Sequence, residues 1–78
     1  MRDEERDQLG SIDETLARLR AAHEGQEDRA PLLAQLADLQ AEHARLHSLI
    51  LVGQVPAADA LPRLAERVER LRRDFSPP

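Results

Sequence analysis

The chain has 78 residues, with 15 acidic side chains against 11 basic ones and a formal charge of −4. All the basic residues are Arg; Lys, Asn, Cys, Trp and Tyr are absent, and Phe75 is the only large aromatic. This excludes a disulfide framework, Cys-ligated zinc and a thiol nucleophile, and it makes sequence-independent nucleic-acid binding a poor fit.

The longest apolar run, Leu49 to Val52, is far short of a membrane span or the apolar core of a signal peptide. The expectation is therefore a single domain over 1–78 in the cytoplasm. Missing Lys and Asn, whose codons are AT-rich, point to a GC-rich bacterial genome. Leu and Ala are abundant enough to separate the composition from that of a disordered chain.

Three segments carry apolar residues at alternating spacings of three and four, the period of a helix that buries one stripe. The first holds Leu9, Ile12, Leu16 and Leu19, then His23. Ser11 and Glu14 match an S-x-x-E capping box. Leu9 is nevertheless in register with Ile12 across Gly10, so the reading adopted is a longer helix over about 3–24, with Gly10 costing ~1 kcal/mol relative to Ala. Gly25 serves as the residue after its end.

The second segment holds Leu32, Leu36, Leu39, His43, Leu46 and Ile50. Asp28 is the expected cap and Pro31 sits in the first turn, giving a helix over about 29–52 that Gly53 ends. The third holds Leu61, Leu64, Val68, Leu71 and Phe75, a helix over about 59–75 before a tail at 76–78. Asp59 through Ala65 repeats Asp, Pro, Leu and Ala of the stretch Asp28 to Ala34, read as a second use of one capping solution. Were this helix to begin at Ala57, Pro62 would fall inside it and bend it.

Short connections make adjacent helices antiparallel. Folding both hairpins brings the stripes together as four layers: Leu9/Leu46/Leu64, Ile12/His43/Val68, Leu16/Leu39/Leu71 and Leu19/Leu36/Phe75. The fold class is all-α, an antiparallel three-helix bundle (or a helical hairpin plus a third helix) that self-associates. Two independent registers use the same stripe of the second helix, and that consistency is the strongest signal in the sequence. A chain this short and without disulfides has oligomerisation as its remaining route to extra stability.

Chemistry-bearing residues are few. His43 and His47 are four apart, on one side of a helix, as a metal pair requires. Their order, E-H-x-x-x-H, is not that of zinc proteases, and His23 lies too far along the bundle to add a ligand. Against a metal site stands the reading of His43 as a core histidine with a local hydrogen-bond partner and of His47 as bordering the core, so no metal or cofactor is expected. As the odd residue of its seam, His43 is expected to be functional or to set specificity. Loss of folding or of a partner on changing His43 to Leu would argue for a specific role.

Arg63, Arg67, Arg70, Arg72 and Arg73 make the third helix locally basic. Glu66 with Arg70 and Glu69 with Arg73 form favourable i,i+4 pairs, and no aromatic residue interleaves them for base stacking. No G-x-S-x-G elbow or Gly-rich phosphate loop is present. The run Ile12-Asp13-x-x-Leu16-x-x-Leu19 is similar to the first helix of chorismate mutases. The similarity covers eight residues and that family's active site uses a Lys, which this chain lacks; no family is assigned and no enzyme activity is expected.

The expected function is that of a small non-enzymatic protein-interaction module, an adaptor, regulatory or assembly component acting by helix–helix packing on itself or on a larger protein. The alternatives are a metal- or ligand-responsive bundle centred on His43 and His47, and a weak nucleic-acid binder using the third helix. The expected interface is a second seam on helix two. Ala30, Ala34, Ala37, Ala41, Ala44 and Ser48 recur opposite the Leu stripe. Leu33, Leu49, Leu51 and Val52 would seal a homodimer across it. The competing reading is that Ala is simply a good helix former and the seam faces water.

Overall fold

A computed structural model describes residues 1–76; Pro77 and Pro78, the end of the expected tail, lie outside the described residues. Three α-helices follow in order: α1 (Asp3–His23), α2 (Ala30–Leu51) and α3 (Ala57–Phe75), with a 3-10 turn over Glu27–Arg29 before α2. Each helix packs against the other two, and no strand occurs among the described residues. The fold is an all-α three-helix bundle. Its extents are 39 × 20 × 17 Å, the long dimension exceeding the ~30 Å of a helix of about 20 residues.

The apolar stripes meet as expected. Leu9, Ile12 and Leu16 of α1, Leu36, Leu39 and Ile50 of α2, and Leu61, Leu64, Val68, Leu71 and Phe75 of α3 are buried together. Leu19 and Leu46 are half-buried members of the same core. His43 is the one polar side chain buried with them. Ile50 and Leu61 close one end of the bundle. The other end is closed by a contact the periodicity did not announce: the His23 ring stacks on Phe75, with centroids 4.6 Å apart and planes 21° from parallel.

α1 has the longer extent that its register led us to expect, while the starts of α2 and α3 differ from expectation. α1 starts at Asp3 and runs through Gly10, so Ser11 and Glu14 lie in mid-helix and do not cap it. The contact of the N3 carboxylate with the cap backbone occurs at the start of the helix instead, where the Arg2 amide donates to the Glu5 carboxylate at 2.9 Å. Three acidic residues in that first turn also suit the positive end of the helix dipole.

At the other end of α1, Gly25 takes the expected place after the cap residue Glu24, with positive φ. Glu24 (φ −58°, ψ 132°) and Gly25 (φ 84°) form the two central residues of a type II turn, closed by the Gln26 amide on the His23 carbonyl at 3.1 Å. The chain then enters α2 through the 3-10 turn. Asp28 lies inside that turn, and the residue at the cap position is Arg29, which makes no side-chain cap bond. Asp28 therefore is not the cap. An N-cap side chain works from an extended backbone, and the 3-10 turn removes it.

The end of α2 is a Schellman motif. Gly53 (φ 76°) donates its amide to the Ile50 carbonyl and Gln54 donates to Leu49 at 2.9 Å. α3 then begins at Ala57, two residues before Asp59, because the Pro56 carbonyl accepts from both Asp59 and Ala60. Pro62 consequently sits inside the helix, where it cannot donate to the Ala58 carbonyl. The early start carries Ala60 and Leu61 into the core and brings Val55 and Ala57 against it. The matching D-x-x-P stretches thus occupy different positions: Pro31 is in the first turn of α2, while Pro62 is an interior residue of α3.

The glycines make a paired test of this backbone. A Cβ at Gly10 meets nothing within 4 Å and φ there is ordinary, so Gly10→Ala should raise stability by about 1 kcal/mol in urea denaturation. Gly53→Ala should lower it by about 1–2 kcal/mol, since only Gly takes the left-handed conformation freely.

Candidate functional site

Three features of the sequence are candidates for function: the histidine pair on α2, the Arg-rich face of α3, and the outer face of α2. His43 is only 7% exposed, and its Nε2–H donates to the Leu9 carbonyl of α1 at 2.8 Å. A carbonyl only accepts, so the bond defines the ring tautomer and uses one ring nitrogen. The Leu9 carbonyl is also an ordinary helix acceptor, and its second lone pair takes the histidine. The His47 ring lies 6.1 Å from that of His43, tilted by 58°, in a shallow groove shared with Arg6 and Asp13 of α1. Among the described residues no group of three or more His, Asp or Glu side chains is arranged to hold a metal ion.

On α3, arginines and carboxylates neutralise one another. Arg70 pairs with Glu66 at 3.4 Å, and Glu69 takes both Arg72 and, at 4.0 Å, Arg73. The hydrogen bond from Arg72 holds the Glu69 carboxyl below its usual range and raises the Arg72 guanidinium in turn. Arg67 reaches across to Glu42 of α2. That interhelical pair was not read from the sequence, although a signal was present. Glu42 and Arg67 directly precede His43 and Val68, which share a layer. Arg20 similarly crosses from α1 to the Gln40 side chain of α2 at 3.2 Å.

The outer face of α2 has no such internal partners. Ala30, Ala34, Ala37, Ala41, Ala44 and Ser48 are all exposed, because the opposite stripe is the one that α1 and α3 share. Leu33 and Leu49 are half-buried at its edges. At its C-terminal end Leu51 is 63% and Val52 69% exposed, and with Met1 they are the exposed large apolar side chains of the described chain. The structure therefore brings the Ala seam, Leu51 and Val52 onto the solvent side, leaves Leu49 half-buried at its edge, and packs Leu33 partly against the core, so that Leu33 is not free to seal the seam as expected.

Comparison with protein-family models, with curated proteins and with solved structures gives no significant match. No helix is long and apolar enough to cross a membrane among the described residues.

The His43 geometry has a direct test. His43→Leu removes one hydrogen bond but leaves the Leu9 carbonyl its helical partner, so urea denaturation should show a change between zero and ~1 kcal/mol of added stability. His43→Asn, too short to reach that carbonyl, should cost about 1–3 kcal/mol by burying an unpaired amide.

Proposed function

We propose that this chain is a non-enzymatic helical interaction module of the bacterial cytoplasm, working in an adaptor, regulatory or assembly role. Its surface of action is the outer face of α2, and the simplest partner is a second copy of itself. One observation supports this most: the seam of small residues at Ala34, Ala37, Ala41 and Ala44 faces outward and runs into the exposed Leu51 and Val52. Small side chains let two helix backbones approach closely. Fully burying a Leu or Val is worth roughly 1.5–3 kcal/mol, so covering Leu51 and Val52 would supply a driving force that the monomer leaves unused. The α3 arginines, largely matched by their own carboxylates, offer a nucleic acid less than their number suggests.

The test is a double substitution, Ala37→Glu with Ala41→Glu, at exposed positions that the bundle core does not use. Four carboxylates would then meet at the centre of the contact. Analytical ultracentrifugation should show a dimer for the natural chain and a monomer for the variant, with circular dichroism unchanged. A dimer that persists in the variant refutes this surface, and a natural chain that sediments as a monomer refutes the homodimer.

A further inference from the structure

Resting on the homodimer reading above, we infer that the two α2 helices pack antiparallel about a twofold axis near Ala41, locked by reciprocal ion pairs between Asp38 and the partner's Arg45. The argument starts from charge. Asp38 and Arg45 are both exposed, and neither belongs to any ion pair within the described chain. They are seven residues apart, so at 100° per residue they lie on the same edge of the α2 outer face, one on each side of Ala41.

A twofold axis perpendicular to two antiparallel helices keeps that edge on the same side in both copies. It brings Asp38 level with the partner's Arg45, and Arg45 level with the partner's Asp38. In a parallel pair the same edge would lie against the partner's other edge, with Gln40 and Ala44, and both charges would lack partners.

Side-chain size gives an independent argument for the same orientation. Along its centre line the outer face of α2 is small at its beginning, at Ala30 and Ala34, and carries the large Val52 just beyond its end. Antiparallel packing about Ala41 sets Val52 level with the partner's Ala30 and Ser48 with the partner's Ala34. Val52 of each copy then meets the small Ala30 of the other, so this exposed side chain is covered at both ends of the contact. Parallel packing stacks Val52 on the partner's Val52 and opens a gap between the Ala30 ends. The self-complementarity of the face in both charge and size is the reason to assign a second copy as its occupant.

The chain has no cysteine, so crosslinks can be introduced one at a time. Ala34→Cys and Ser48→Cys chains, each exposed at that position, would be mixed in equal amounts and treated with a mild thiol oxidant such as diamide. The expected product is the mixed 34–48 disulfide, which neither chain forms alone. Homodisulfides at 34 and at 48 would overturn the antiparallel orientation while leaving the α2 face as the interface. A dimer in ultracentrifugation with no crosslink in any combination would overturn the proposed face itself, and a monomer would overturn the dimer. Charge reversal is the second arm. Arg45→Asp alone should weaken dimerisation about tenfold, and adding Asp38→Arg should restore it. A double variant as weak as the single one would refute the ion pairs.

Discussion

One stripe of α2 has to satisfy two helices at once. Leu36, Leu39, His43, Leu46 and Ile50 face α1 and α3 together, and the rest of the bundle is arranged around that sharing. A helix whose apolar residues recur every three or four positions can bury only about a third of its circumference. Two partners that both use that third must lie side by side, which brings α1 into contact with α3 and closes the core. The same restriction leaves the far side of α2 without an intramolecular partner. The core and the exposed Ala face are therefore consequences of one geometric fact.

Within the shared stripe, His43 is a local exception that the bundle accommodates. A buried imidazole without a partner would cost about as much as a buried Leu contributes. Its bond to the Leu9 carbonyl removes that cost, and no buried side-chain nitrogen or oxygen is left without a partner among the described residues. Because the acceptor is a particular backbone atom, the bond also selects one sliding position of α1 against α2, which interchangeable leucines do less sharply. His23 plays a different part at the end of the bundle: it covers Phe75 while its Nδ1 pairs with the Gln26 side chain in the turn. Turn and core are thus tied together at that end.

The surface follows another logic. Exposed ion pairs on α3 contribute little stability individually. Their effect is to reduce the net field of an Arg-rich helix, with Glu69 placed between two arginines. On α2 an uncharged seam is edged by one acidic and one basic residue, Asp38 and Arg45, that form no ion pair within the described chain. Contact surfaces are commonly depleted of charge at the centre and carry it at the rim.

The sequence by itself determined the three helices, their packing into a bundle and the residues of the core stripe. Each of these depends on a local period that every helix carries in its own residues, and Leu16, Leu39 and Leu71 could be matched from spacing alone. The positive-φ positions at Gly25 and Gly53 were equally legible, since few residues other than Gly take that conformation cheaply. The Ala seam could be read as a pattern, but its exposure depended on where α1 and α3 came to rest. The start of α3 was a tertiary decision. D-x-x-P is compatible with a cap or with a helix interior, and burying Ala60 and Leu61 beneath the turn at Pro56 favoured the second. The acceptor of His43, the stacking of His23 on Phe75 and the reach of Arg67 to Glu42 were likewise settled only in three dimensions. Each joins residues at least 25 positions apart, where distance depends on how whole helices rotate against one another and no local rule of spacing applies.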